Sequence, residues 1–188
     1  DIGAAPGGKT MQLAAAGADV IALDRSEKRL TRLEANLART GLSAEIVTAD
    51  AARWRPEAPL DAVLLDAPCT ATGTLRRNPD AAFSKSEADI KRLATLQARL
   101  LDAAADALKP GGRLVYCTCS LEPEEGEQQI GALLKRRDDL RLDPIAANEL
   151  PGLEDAIDAN GAVRTTPDMW PERGGLDGFY IARLIKAG

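Results

Sequence analysis

The sequence contains no histidine and no long apolar run. Histidine is the commonest general base in enzymes, so covalent chemistry in this chain would depend on thiolates and carboxylates. No apolar stretch approaches the roughly 18 residues that a membrane span needs. The first residues also lack the basic and then apolar pattern of a signal peptide. We therefore expect a soluble cytoplasmic protein without a membrane association.

Cysteine is scarce, with three residues in the chain. An odd number of cysteines in a chain of this length does not make a disulfide framework, and free thiols are typical of a reducing compartment. With no histidine and no paired Cys-x-x-Cys motif, we expect no metal site. Two of the cysteines, Cys69 and Cys119, lie next to polar turn residues, whereas Cys117 lies within an apolar run.

The composition is that of one globular domain, with 188 residues, 45% hydrophobic and 28% charged. The net charge of -5 argues against a protein held on nucleic acid mainly by its total charge. The sequence begins at Asp1 without an initiator methionine, and its first motif follows at once. We expect one catalytic domain over residues 1–188 that lacks its first strand and an upstream region.

Short apolar runs alternate with helical patterns along the chain, as expected for βαβ units and a largely parallel sheet. Ser26 and Gly41 have the residue types of a helix start and stop, and Ser84 and Glu87 have capping-box spacing before a longer helix. A further helix is predicted over residues 124–137. The predicted strands are Asp19 to Leu23, Glu45 to Thr48, Ala62 to Leu65, Arg113 to Cys117 and Phe179 to Leu184.

The segment from Gly3 to Thr10 matches the phosphate-binding pattern GxxxxGK[ST] letter for letter. The apolar run that ends at Asp66 could serve as the matching Walker B element. On this interpretation Lys9 would reach the phosphates, while Thr10 and Asp66 would hold magnesium. The alternative function is therefore a P-loop ATPase or GTPase.

Carboxylates follow three successive predicted strands. Asp24, Asp50 and Asp66 each come at or just after a strand, and an acidic residue in the position of Asp24 typically binds a ribose diol. Any one of these aspartates could be a helix cap. Together with the glycine turn, they favour a ligand with a ribose, an adenine amino group and an ammonium, such as S-adenosylmethionine.

Three segments in their order along the chain resemble the RNA (cytosine-5)-methyltransferases of the Sun/RsmB type. They are Asp1 to Thr10 (DIGAAPGGKT), Asp66 to Asp80 (DAPCTATGTLRRNPD) and Pro110 to Ser120 (PGGRLVYCTCS), with a weaker match from Arg164 to Arg183. The chain departs from the family pattern at Gly3, where cysteine is common, and at Thr70-Ala71, where Ser-Gly is common. Neither change removes a group that the chemistry needs.

The resemblance implies a Rossmann-like class I methyltransferase fold, a mostly parallel sheet with helices on both faces and a C-terminal antiparallel hairpin. It implies S-adenosylmethionine as cofactor and RNA, such as ribosomal RNA, as substrate and partner. By resemblance, Asp24 binds the ribose, Asp50 lies by the adenine and Asp66 lies near the methionine moiety and the base; Arg29 is a further candidate. The glycine loop that contacts the cofactor comprises Gly3, Ala4, Ala5, Pro6, Gly7, Gly8 and Lys9.

Methylation of cytosine at C5 requires a covalent step, because C5 is a poor nucleophile until a thiolate adds to C6. A carboxylic acid near N3, for which Asp66 is the candidate, can neutralise the developing charge. By resemblance Cys119 is the nucleophile and Cys69 assists release of the product. The residues alone leave the opposite assignment open. Such an enzyme acts on unstacked bases, which favours single-stranded or loop RNA.

Overall fold

The computed structural model describes residues 1–80 and 85–188. Helices and strands alternate over the first two thirds of this part of the chain, and short strands dominate the remainder. The elements are α1 (Gly8–Ala15), β1 (Ile21–Asp24), α2 (Glu27–Thr40), β2 (Glu45–Thr48), β3 (Leu60–Asp66), α3 (Glu87–Ala107), β4 (Leu108–Thr118), α4 (Glu127–Arg136), β5 (Leu140–Leu142), β6 (Val163–Thr165) and β7 (Phe179–Lys186).

The strands form one mixed sheet around the first residues of the chain. β1 pairs with β2 and β3 pairs with β4, in both cases in parallel. Ile2 makes parallel bridges to Leu23 in β1 and Leu65 in β3, and so joins the two pairs. β7 runs antiparallel to β4, while β5 and β6 pair with the opposite edge of β7. The predicted parallel sheet and its antiparallel C-terminal hairpin, β6 with β7, are confirmed.

Helices cover both faces of the sheet. Ala22 and Leu23 are neighbours in β1, and because side chains alternate along a strand they belong to different apolar clusters. Ala22 packs with Leu30, Leu33 and Leu37, whose spacing places them on one face of α2. Leu23 belongs to the larger cluster, which includes residues of α3 and α4. In the part of the chain that the structure describes, no helix combines the length and apolarity needed to cross a membrane.

Two predicted helix starts differ from the structure. The cap of α3 is Ser86, which forms a capping box with Asp89, two residues beyond the predicted Ser84 to Glu87 pair; Ser84 lies outside the described residues. The helix predicted from residue 124 begins at Glu127, because residues 123–125 form a 3-10 turn first. The predicted cap Ser26 and stop Gly41 of α2 are confirmed, with Gly41 in the left-handed conformation at φ 68°.

Candidate active site

A cavity of about 340 Å³ opens at the carboxyl ends of β1 to β4. Parallel strands bring the residues that follow them to the same edge of a sheet, which is the usual ligand site of open α/β folds. The aspartates and two of the cysteines singled out from the sequence meet in this cavity, although they are far apart in the chain. The lining includes Gly3, Asp24, Asp50, Asp66, Cys69 and Cys119.

Most of the glycine loop lies outside the lining of the cavity. Of the loop residues proposed to contact a cofactor, Gly3 lines it, whereas Ala4, Ala5, Pro6, Gly7, Gly8 and Lys9 are not in its lining. Gly3 has φ +82°, and a Cβ there would meet the carbonyl oxygen of Asp66. The loop therefore approaches the end of β3 closely, which its glycine backbone permits.

The structure does not support the P-loop interpretation. Lys9 Nζ lies 2.7 Å from Asp66 Oδ2, so the lysine pairs with the supposed magnesium ligand. Thr10 is fully buried and its hydroxyl donates to Asp1 Oδ2 at 2.6 Å. Burial opposes the charge of Lys9, but the hydrogen bond and charge of Asp66 outweigh it and raise the pKa of Lys9. Lys9 and Thr10, which a nucleotide and its magnesium ion would need, therefore already make hydrogen bonds within the protein.

Asp24 lies buried at the end of β1, held by backbone and arginine donors. Its Oδ1 accepts the N–H of Ser26 at 2.9 Å, and its Oδ2 accepts the N–H of Ala5 at 3.4 Å. Arg29 lies 2.9 Å from the same Oδ2 and also donates to the carbonyl of Ala5. Arg29 thus faces the cavity beside Asp24, as the resemblance suggests, with its own side chain half exposed.

Asp50 follows β2 and lines the cavity. Its Oδ1 accepts the N–H of Ala52 at 3.1 Å, which is the bond of a turn-initiating aspartate. The side chain is exposed, and the neighbouring Ala49 and Ala51 also line the cavity. Asp24 and Asp50 therefore lie along the same wall, which β1 and β2 provide.

Cys69 and Cys119 meet at the end of the cavity that β3 and β4 form. Their Sγ atoms lie 3.4 Å apart, although 50 residues separate them in the chain. The hydrogen bond from Cys119 lowers the pKa of Cys69 to about 7 against the opposing effect of burial, with help from the backbone N–H of Ala71. The pKa of Cys119 is raised by that same hydrogen bond, by burial and by the charges of Cys69 and Asp66. The short contact between the two thiols therefore opposes ionisation of both at once.

Cys117 is buried in β4, as its apolar surroundings in the sequence predict. Its Sγ lies 3.5 Å from Asp66 Oδ1, a contact that the sequence does not indicate. Burial and the charge of Asp66 raise the pKa of Cys117 to about 12, so this thiol stays protonated at neutral pH. Asp66 consequently has a thiol on one oxygen and Lys9 on the other.

A buried carboxylate, Glu125, is absent from the candidates found in the sequence. It is fully buried beneath the Cys69 loop and accepts hydrogen bonds from Thr70 and Gln97. Four glutamates occur between residues 122 and 127, and no periodicity distinguishes the buried one. Arg76 and Arg77, which follow the Cys69 motif, both pair with Asp177, so much of their charge is balanced within the fold.

The fold and the cavity at the carboxyl ends of its strands define a Rossmann-like, class I methyltransferase domain. Residues 1–185 match the family described as 16S rRNA methyltransferase RsmB/F, and the chain belongs to that family. Ribosomal RNA small subunit methyltransferase B of Salmonella arizonae is 44% identical over 191 residues, which cover 99% of this chain and 41% of the relative.

Two solved structures share the fold at appreciable sequence identity. PH0851 superposes with a TM-score of 0.83 at 36% identity, over 97% of this chain and 41% of that protein. NSun6 from Pyrococcus horikoshii, solved with SFG, superposes with a TM-score of 0.79 at 31% identity, over 98% of this chain and 46% of that protein. The chain thus spans about two fifths of the curated relatives that it matches. The resemblance inferred from its three motifs is confirmed.

Proposed function

We propose that this chain transfers a methyl group from S-adenosylmethionine to C5 of a cytosine in RNA, through a covalent bond between Cys119 and C6. The observation that carries the proposal is the pair of thiols 3.4 Å apart at the end of a cavity that three strand-end aspartates also line. Membership in the RsmB/F family supports ribosomal RNA as the substrate class. We place the activity in the cytoplasm.

The residues of the cavity fit S-adenosylmethionine. A volume of about 340 Å³ is within the range of small-molecule sites. Asp24 Oδ1 accepts one hydrogen bond in this structure and can still accept a ribose hydroxyl, whereas Oδ2 already accepts from Ala5 and Arg29. Asp50 can accept from an adenine amino group, and Asp66 can face the ammonium of the methionine moiety. SFG, found in the related NSun6 structure, is an analogue of S-adenosylmethionine. The cofactor, once bound, supplies an electrophilic methyl group on a sulfonium.

The reaction uses the two thiols in a definite order, and because the pKa of the nucleophile Cys119 is raised, this thiol must lose its proton as it attacks. Cys119 loses its proton as its Sγ adds to C6, and Asp66 accepts that proton and passes it to N3. Cys69, whose pKa is lowered to about 7, acts in its thiolate form and accepts the C5 proton after the methyl group has been transferred. When Cys119 leaves C6, the N3 proton returns through Asp66 to the Cys119 thiolate. Cys69 then releases the C5 proton to solvent, which is the one proton that the whole reaction liberates.

Part of the RNA affinity is proposed to lie outside this chain. The chain is acidic, with a net charge of -5, and Arg76 and Arg77 are paired with Asp177. An RNA-binding region upstream of this single catalytic domain would provide the phosphate contacts that supply most of the affinity. The target base must be unstacked to reach the cavity, so we propose a single-stranded or loop cytosine.

The decisive experiment uses transcribed small-subunit RNA whose cytosines carry tritium at C5. Incubation of the chain with this RNA and S-adenosylmethionine should release tritium to water and form 5-methylcytidine in equal amounts, measured by scintillation counting and by mass spectrometry of nucleosides. Matched reactions without S-adenosylmethionine, or with a Cys119→Ala variant, should form no 5-methylcytidine. Methylation at a ring nitrogen or a ribose oxygen, without tritium release, would refute the proposed chemistry.

A further inference from the structure

We propose that Glu125 is a positioning residue that sets the separation of the Cys69 and Cys119 thiols through one buried hydrogen-bond network. This inference rests on the function proposed above, because it concerns the same two cysteines. It adds a residue that never touches the reacting atoms, since Glu125 is not part of the cavity lining.

The environment of Glu125 is unusual for a carboxylate. Its side chain is fully buried, and the described residues place no lysine or arginine within ion-pair distance of it. Burying an unpaired carboxylate is costly unless hydrogen-bond donors replace water. The donors here are neutral and come from Thr70 and Gln97. The buried Glu125 carboxylate and its neutral donors lie beneath the loop that carries Cys69.

The donors to Glu125 fix the chain on both sides of Cys69. On one side, the N–H of Thr70 lies 3.1 Å from each carboxylate oxygen, and its hydroxyl also donates to Oε2. On the other side, Gln97 Nε2 donates to Oε1 at 3.0 Å and to the carbonyl of Pro68 at 2.9 Å. The residues before and after Cys69 are therefore held by the same buried carboxylate, directly and through Gln97.

The same network continues to the loop of Cys119. Thr70 Oγ1 lies 3.2 Å from Ser120 Oγ, and Ser120 Oγ lies 3.2 Å from Thr72 Oγ1. Because the Thr70 hydroxyl donates to Glu125, it must accept from Ser120, and Ser120 in turn accepts from Thr72. The oxygen of Thr72 accepts the N–H of Leu121 at 3.0 Å. In this series of hydrogen bonds, each hydroxyl donates to the next group toward Glu125. Because the Glu125 carboxylate only accepts, it fixes the direction of every hydrogen bond in the series.

Glu125 is also tied to the strand that leads to Cys119. The hydroxyl of Tyr116 in β4 donates to the carbonyl oxygen of Glu125 at 2.6 Å. The backbone N–H of Gly73 donates to the carbonyl of Cys119 at 2.9 Å, which joins the two loops a second time. In the proposed reaction the two thiols act on adjacent ring atoms, C6 and C5. A displacement of about 1 Å in either loop can cost roughly a hundredfold in rate.

The test compares Glu125→Gln with the matched control Glu124→Gln, whose side chain is exposed on the same turn. The amide keeps the size of Glu125 but turns one acceptor into a donor that faces the Thr70 or Gln97 donors. The first measurement is the rate at which diamide oxidises the two thiols to a disulfide, with diamide taking up the two electrons and two protons. We expect at least a tenfold slower rate in Glu125→Gln and an unchanged rate in Glu124→Gln.

The second measurement is methylation of RNA. For Glu125→Gln we expect kcat to fall about a hundredfold, with the KM for S-adenosylmethionine within threefold of the unmodified chain and a normal thermal unfolding transition. An unchanged rate of thiol oxidation would overturn the positioning role, whatever the methylation result. If the unmodified chain forms no 5-methylcytidine, the proposed function fails, but the oxidation rates still decide the role of Glu125.

A second pair of variants covers the case in which Glu125→Gln does not fold. Thr70→Val removes the hydroxyl that links Glu125 to Ser120, whereas Thr70→Ser keeps it. The positioning role requires slower thiol oxidation in Thr70→Val and near-normal oxidation in Thr70→Ser. Equal rates in the two variants would contradict it.

Discussion

The Sγ atoms of Cys69 and Cys119 lie 3.4 Å apart on the loops that follow two neighbouring parallel strands, β3 and β4. This contact brings together two residues that the sequence presents in unrelated turns. The contact lowers the pKa of Cys69 and raises that of Cys119, so the two thiols differ chemically before any substrate binds.

The first prediction concerns the division of roles between these thiols. Cys119→Ala should lower the rate of methyl transfer by at least about a thousandfold, because the covalent step is lost. Cys69→Ala should instead accumulate a covalent RNA–protein adduct, visible as a slowly migrating band on a denaturing gel. An adduct that accumulates in Cys119→Ala and not in Cys69→Ala would reverse the proposed roles.

The second prediction is the pH dependence of alkylation by iodoacetamide. Only the thiolate reacts, so the rate at Cys69 should rise as the pH passes through its lowered pKa, with a midpoint near 7 rather than the ordinary 9.0. Cys117, with its pKa raised to about 12, should remain unmodified over the same range. Peptide mapping by mass spectrometry assigns the sites. A midpoint near 9 at Cys69 would contradict the thiolate assignment.

The third prediction concerns cofactor affinity. Asp24→Asn should weaken binding of S-adenosylhomocysteine at least tenfold, equivalent to about 1.4 kcal/mol, because one ribose acceptor becomes a donor. Isothermal titration calorimetry measures the change. The control is Asp19→Asn, an exposed aspartate near the opposite end of β1, which should bind as the unmodified chain does. Equal affinity in the two variants would remove Asp24 from the proposed cofactor site.

The fourth prediction concerns stability at the junction of the two loops. Gly73 is packed so closely against the backbone of Gly178 that a Cβ would collide with the Gly178 carbonyl oxygen. Gly73→Ala should therefore lower the free energy of unfolding by about 1–3 kcal/mol. Gly131, exposed in α4, has open space around it, so Gly131→Ala should raise the free energy by about 0.5–1 kcal/mol. Urea unfolding distinguishes the two; stabilisation by Gly73→Ala would contradict the packing described here.

The sequence by itself indicated a mostly parallel sheet and placed three acidic residues after its strands. Alternating apolar runs and helical patterns predicted a parallel sheet, and a parallel sheet places residues that follow its strands at one edge. Asp24, Asp50 and Asp66 could therefore be grouped without coordinates. Local capping signals located α2, because a cap depends on residues within one turn of the helix. The cap of α3 lies two residues beyond the predicted one, because several polar residues there could begin the helix.

Only the tertiary structure decided which of these groups touch one another. The pairing of Lys9 with Asp66, 57 residues apart, argues against the phosphate-binding interpretation that the local motif favours. The contact between Cys69 and Cys119 depends on the register of β3 with β4, and burial selects Glu125 from a row of similar glutamates. Distances and burial depend on contacts between residues that are remote along the chain. A local pattern of residue types does not contain them.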